Sequence, residues 1–148
     1  MKYLKYYENI DPFEEYWMEY ELPTHKIGVN LNISDIEGFE FKEIIVNDAE
    51  TEIKFITDNE EIYLMYHEQG CCEEVYLADV IGDMDDLINT EIIKAVESSN
   101  DLGSLSPNDE SWTWTFYIID TMKGSVTFRW YGSSNGYYSE SVSFMRIK

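Results

Sequence analysis

Positive charge is scarce in this chain. Ten Lys and Arg stand against 30 Asp and Glu in 148 residues, a formal net charge of −20. A protein that grips phosphates needs clustered Lys and Arg, so the deficit excludes a plain electrostatic DNA or RNA binder. It also argues against docking on anionic membranes. Long apolar runs are missing: none approaches the roughly 20 residues of a membrane-spanning helix. Residues 1–8 carry no apolar segment after their lysines, so no signal peptide is expected. The only cysteines are the adjacent Cys71 and Cys72. Two cysteines make no disulfide framework and neighbours rarely bridge, so reduced thiols and a cytoplasmic location are expected. Repeats and low-complexity tracts are absent as well.

What is abundant is aromatic and aliphatic. Four Trp, 12 Tyr and seven Phe, within a hydrophobic fraction of 44%, set the chain apart from disordered acidic sequences. A domain of this length builds a core without staples. Asp11 and Pro12 open a helix that Pro23 ends, with Phe13, Tyr16, Trp17 and Tyr20 on one face; the spacing predicts helix over 12–21. From Phe41 the period changes to two, and strands are predicted over 41–46, 52–56, 62–66 and 74–80, with a shorter one near 29–33. One helical turn is expected over 82–88, a strand over 90–96 and a mobile loop over 98–110. Trp112, Trp114 and Phe116 alternate strictly, as do Val126, Phe128 and Trp130, which predicts that both sets face the core. With a turn at 132–136 and a final strand over 138–147, these make a three-strand meander. The expected class is α+β: one domain over 1–148, a curled, mainly antiparallel sheet over 44–148 with a helix-bearing extension over 1–43.

Several clusters invite chemistry. His67, Cys71 and Cys72 offer zinc-type ligands. Adjacent strand residues point to opposite faces, however, and no second Cys or His cluster exists; His25 is the only other imidazole. The plainer reading is a bulged strand end with a hydrogen-bonded His67. Asp79, Asp83, Asp85 and Asp86 fail the spacing of a calcium loop, and Asp83 and Asp85 read as helix N-terminal residues. No nucleophile elbow or phosphate loop is present, so no catalytic residue, metal or cofactor is assigned. Tyr137 and Tyr138 adjoin a turn and cannot both point inward, which makes them contact candidates.

His67-Glu68-Gln69-Gly70-Cys71-Cys72-Glu73, then Thr113-Trp114-Thr115-Phe116-Tyr117, Arg129-Trp130-Tyr131-Gly132 and Ser134-Asn135-Gly136-Tyr137-Tyr138-Ser139-Glu140 carry a resemblance. Together they resemble an uncharacterised family of small proteins of bacteriophages and bacteria, over roughly residues 44–146. In that pattern an Asp often precedes the cysteine pair, where this chain has Gly70. The resemblance implies a fold unit and a mobile-element origin and transfers no chemistry.

The acidic surface is the remaining signal. It serves solubility, or it presents an array that mimics nucleic-acid phosphates to a basic protein. The second reading predicts a non-enzymatic inhibitor of a basic, nucleic-acid-handling host defence protein, of the anti-CRISPR or anti-restriction type. Its contacts are expected at Glu68, Glu73, Glu74, Asp83, Asp85, Asp86, Tyr137 and Tyr138. The alternatives are an immunity protein that neutralises a basic toxin, and a small metal-binding or enzymatic domain centred on His67, Cys71 and Cys72.

Overall fold

A computed structural model describes residues 28–100 and 102–148. Strands β2 (Phe41–Val46) and β3 (Glu52–Thr57) form a hairpin. Asn47 shapes its turn: the side-chain oxygen accepts the N–H groups of Thr51 (2.8 Å) and Glu52 (3.0 Å), doing a backbone carbonyl's work. Strand β4 (Ile62–Tyr66) pairs with β3, β9 (Ser143–Arg146) with β4, and β1 (Val29–Asn30) with β9. The resulting antiparallel sheet has the order β1-β9-β4-β3-β2. A second antiparallel sheet contains β5 (Glu74–Ile81), β6 (Lys94–Asn100), β7 (Ser111–Asp120) and β8 (Ser125–Ser134) in the order β5-β8-β7-β6. Two 3-10 turns complete the described elements, η1 (Ile33–Ile36) and η2 (Met84–Leu87). Asp83 caps η2, accepting the Asp85 N–H at 3.0 Å.

The sheets pack face to face. Ile53, Phe55, Tyr63, Met65 and Phe144 of the first meet Leu77, Tyr117, Ile119, Val126, Phe128 and Trp130 of the second in one buried cluster. Phe55 meets Phe128 edge to face at 5.9 Å, and the Trp130 indole N–H points at the Met65 sulfur at 3.2 Å.

The α+β expectation is overturned. The described chain is nearly all antiparallel β, and its helical structure is confined to two 3-10 turns. The helix predicted over 12–21 lies outside the described residues, as does His25. Among the described residues no helix is long and apolar enough to cross a membrane. The meander is corrected too. β7 and β8 form the expected hairpin, but the third strand is only Ser143–Arg146 and pairs with β4 in the other sheet. The turn expected over 132–136 starts later, because β8 runs on through Ser134; residues 135–142 then fold back, with Glu140 beside Gly132 and Ser134, on their way to the other sheet. The strand expected over 90–96 lies further on, at Lys94–Asn100, and takes the first residues of the expected loop.

The faces of β7 are reversed as well. Tyr117 and Ile119 face the core, while Trp112, Trp114 and Phe116 lie on the outer face. Arg129 explains how that face tolerates them. Its guanidinium sits 5.0 Å from the Trp114 ring centre and 5.3 Å from that of Phe116, and Asp79 lies 3.2 Å from its Nε. The loop after β6 covers the rest: Trp112 and Trp114 donate their indole N–H groups to the carbonyls of Leu102 and Gly103. Val126, Phe128 and Trp130 face inward as expected.

Candidate functional site

One end of the sandwich gathers three connections: residues 67–73 before β5, 102–110 between β6 and β7, and 135–142 between β8 and β9. Glu73 organises the first. Its side chain is 1% exposed, and its carboxylate accepts the N–H groups of Gly70 (2.5 Å) and Cys71 (2.9 Å) and lies 2.6 Å from His67 Nε2. Burial pushes the Glu73 carboxyl up. The bonds from Gly70, His67 and Cys71 outweigh that and bring its pKa down to about 2. His67 Nδ1 lies 2.7 Å from the Ser141 carbonyl oxygen, so the same ring ties the 67–73 loop to the 135–142 crossing.

That turn overturns the expectation of reduced thiols. With both Gly70 and Cys71 N–H groups folded onto Glu73, the backbone is no longer extended, and Cys71 and Cys72 form a vicinal disulfide. Both nitrogens of His67 are engaged, and among the described residues no three or more His, Cys, Asp or Glu side chains are grouped to hold a metal ion.

Beyond the core, the inner face of β6 and β7 turns polar. Glu97 and Ser99 on β6, with Ser111, Thr113 and Thr115 on β7, floor a trough of about 310 Å³ walled by Tyr138, Glu140, Ser141 and Val142. The crossing segment can lie this close because Gly132 has no side chain; a Cβ there would come within 2.6 Å of the Glu140 carbonyl oxygen. Glu140 is fixed by hydroxyls: Thr113 donates to it at 2.7 Å and Ser134 at 2.6 Å. Burial pushes its carboxyl up, but the hydroxyls of Ser134, Thr113 and Ser111 more than offset this and hold it below the ordinary range. Tyr117, at the inner end, is raised well above the usual tyrosine range by burial and by the charge of Glu97.

A neighbouring groove of about 260 Å³ is lined by Cys72, Glu74, Asn108, Asp109, Glu110 and Asn135 among others. Tyr131 fixes its loop, accepting the Leu105 N–H at 3.0 Å and donating to Asp109. Burial first, then the bond to Asp109, pushes the Tyr131 pKa up to about 12. The surface of this end is thus anionic and hydroxyl-rich, with the Glu140 carboxylate fixed by its hydroxyl partners.

The residues expected to make contacts do not form one patch. Glu74 is exposed on the groove, Tyr138 walls the trough, and Tyr137 is 83% exposed, its ring packed edge to face on Tyr138 at 4.9 Å. Glu68 is half-buried and accepts the Tyr66 hydroxyl at 2.9 Å. Glu73 is spent inside its loop. Asp83, Asp85 and Asp86 sit past the opposite end of β5, whose eight residues, at about 3.3 Å each, put them roughly 25 Å away. Glu97, Ser99, Thr113 and Glu140 were not anticipated. The one signal for them is the hydroxyl residues interleaved with the aromatics of β7.

A family model described as a domain of unknown function (DUF7448) matches residues 25–144, beginning further towards the N-terminus than the resemblance near residue 44. No curated protein and no solved structure matches the chain.

Proposed function

This chain belongs to that family of unknown function, DUF7448, and we propose that it works without catalysis, by binding and blocking a basic protein that handles nucleic acid. In this reading it is an anti-defence protein of a phage or other mobile element, of the anti-CRISPR or anti-restriction kind, acting in the cytoplasm of the bacterial host. The observation that carries the reading is how the few cations are used. Lys54 is buried, Arg129 is stacked on Trp114 and Phe116, Lys42 pairs with Glu60, and Arg146 lies 3.4 Å from Glu61. The Lys123 ammonium is turned onto the Ile88 carbonyl at 2.9 Å. Among the described residues, five of the seven Lys and Arg are thus buried, stacked, paired or turned onto backbone and do little to offset the exposed carboxylates, and a basic target is drawn in by long-range attraction. The end bearing Glu74, Glu97, Asp109, Glu110 and Glu140 adds fixed geometry and tyrosine anchors to that charge.

The test is to titrate the protein into basic nucleases of host defence systems at rising salt. Affinity is expected to fall steeply between about 50 and 200 mM salt. Flat affinity over that range overturns the reading.

A further inference from the structure

Strand β6 is the last strand of its sheet, bonded to β7 on one side only. Its other side is closed over its first half. The outward N–H of Ala95 donates to Glu37 Oε2 at 3.0 Å, and the Gly38 N–H donates to the Ile92 carbonyl at 2.8 Å, so the residues around η1 lie against the start of the strand. Backbone direction alternates along a strand. If Ala95 points its N–H away from β7, Glu97 and Ser99 do so too. No hydrogen bond from another described residue reaches those two N–H groups, and residues 97–100 are exposed. Among the described residues this half of the edge is a short row of donors and acceptors without partners, the template on which extended segments add.

We propose that this free half of β6 is a docking edge for an extended basic segment of the partner, paired strand to strand, with alternate Lys or Arg side chains turned to Glu97 and Glu140. The proposal rests on the reading of a basic protein partner and names where it binds. Charge chooses the occupant. A segment added beside Glu97 and Ser99 places every second side chain over the inner face, where the trough offers two carboxylates and the hydroxyls of Ser99, Ser111 and Thr113. Those groups suit ammonium and guanidinium donors and give an acidic or apolar segment nothing. A second copy of this chain is disfavoured by its charge of −20.

The probe is a blocked synthetic peptide of alternating Thr and Arg, added to the isotope-labelled full chain at about 50 mM salt. Amide shifts and slowed hydrogen exchange are expected at Glu97 and Ser99. Ser99→Pro removes one outward donor, and proline is tolerated on an edge whose N–H faces solvent; about tenfold weaker binding is expected. Glu97→Gln leaves the backbone intact and is expected to weaken binding several-fold. Shifts that fall instead on the turns at 58–60 and 83–86 overturn the edge, as does Ser99→Pro binding like the unaltered protein. In both cases the anionic reading survives if binding stays salt-sensitive. No peptide binding at low salt also overturns the edge, and salt-sensitive capture of a whole basic nuclease then still supports the wider reading.

Discussion

A buried carboxylate is stable only where its charge is answered, and Glu73 shows how that need shapes a loop. Two backbone N–H groups and one imidazole converge on it, and the loop's path follows from their positions. Glu73→Gln keeps the size but turns an N–H₂ donor towards groups that are themselves donors. At neutral pH it is expected to cost about 2–3 kcal/mol of unfolding free energy in urea. The pH dependence follows from the sign of the shift. A carboxyl brought down to about 2 in the folded state contributes stability that is fully present above its ordinary value of 4.5 and is lost as pH falls towards 2. The gap between the unaltered protein and Glu73→Gln should therefore close over that window; a gap that stays constant down to pH 2 would show that the carboxylate's charge is not what holds the loop. Nothing in the sequence marks Glu73 off from Glu68 and Glu74 beside it, since one buried acid among 30 carries no pattern.

At the scale of elements, the crossing segment and η1 decide what the second sheet leaves open. A Cβ on Gly132 would meet the Glu140 carbonyl oxygen at 2.6 Å and the Val75 side chain at 3.1 Å, and backbone yields less readily than a side-chain tip. Gly132→Ala is expected to cost about 1–3 kcal/mol in chemical denaturation. Glu37→Ala uncaps the Ala95 N–H. It should cost about 1 kcal/mol and speed hydrogen exchange at Ala95 while leaving Ile119 on the neighbouring strand protected; unchanged exchange at Ala95 would mean that Glu37 does not close the edge. Strands β2 to β4 were legible because short β-rich runs are separated by turns that carry Asn and Asp, Asn47-Asp48 and Asp58-Asn59. The faces of β7 were not, because both parities are apolar: Trp112, Trp114 and Phe116 on one, Tyr117 and Ile119 on the other. Alternation identifies a strand, but with two greasy faces only the partner sheet selects the inner one. The destination of β9 was hidden for a related reason, since adjacency in sequence favours a meander and only packing carries residues 135–142 across to β4. The trough was illegible because its walls come from β6, β7 and the crossing segment, which meet only in the fold.

For the whole molecule, the charge of −20 makes two salt effects run in opposite directions. Carboxylates occupy the turns at 47–50 and 57–61, both 3-10 turns and the edge of β6, so like charges repel one another across the folded state. Raising salt from about 0.01 to 0.15 M shortens the screening length from roughly 30 to 8 Å and so weakens the repulsion between acids further apart than that. The melting temperature should then rise by several degrees, because compaction of like charges costs less. Binding to a basic partner should weaken over the same range, because the attraction is screened equally. A charge kept only for solubility produces the first effect without the second. Thermal melts and binding titrations in the same salt series therefore separate the two readings: a rising melting temperature with falling affinity supports a working anionic surface, and a rising melting temperature with no salt-sensitive partner reduces the charge to a solvating coat. A melting temperature that does not respond to salt would mean that the carboxylates are compensated in the fold, and the proposed function would lose its physical basis.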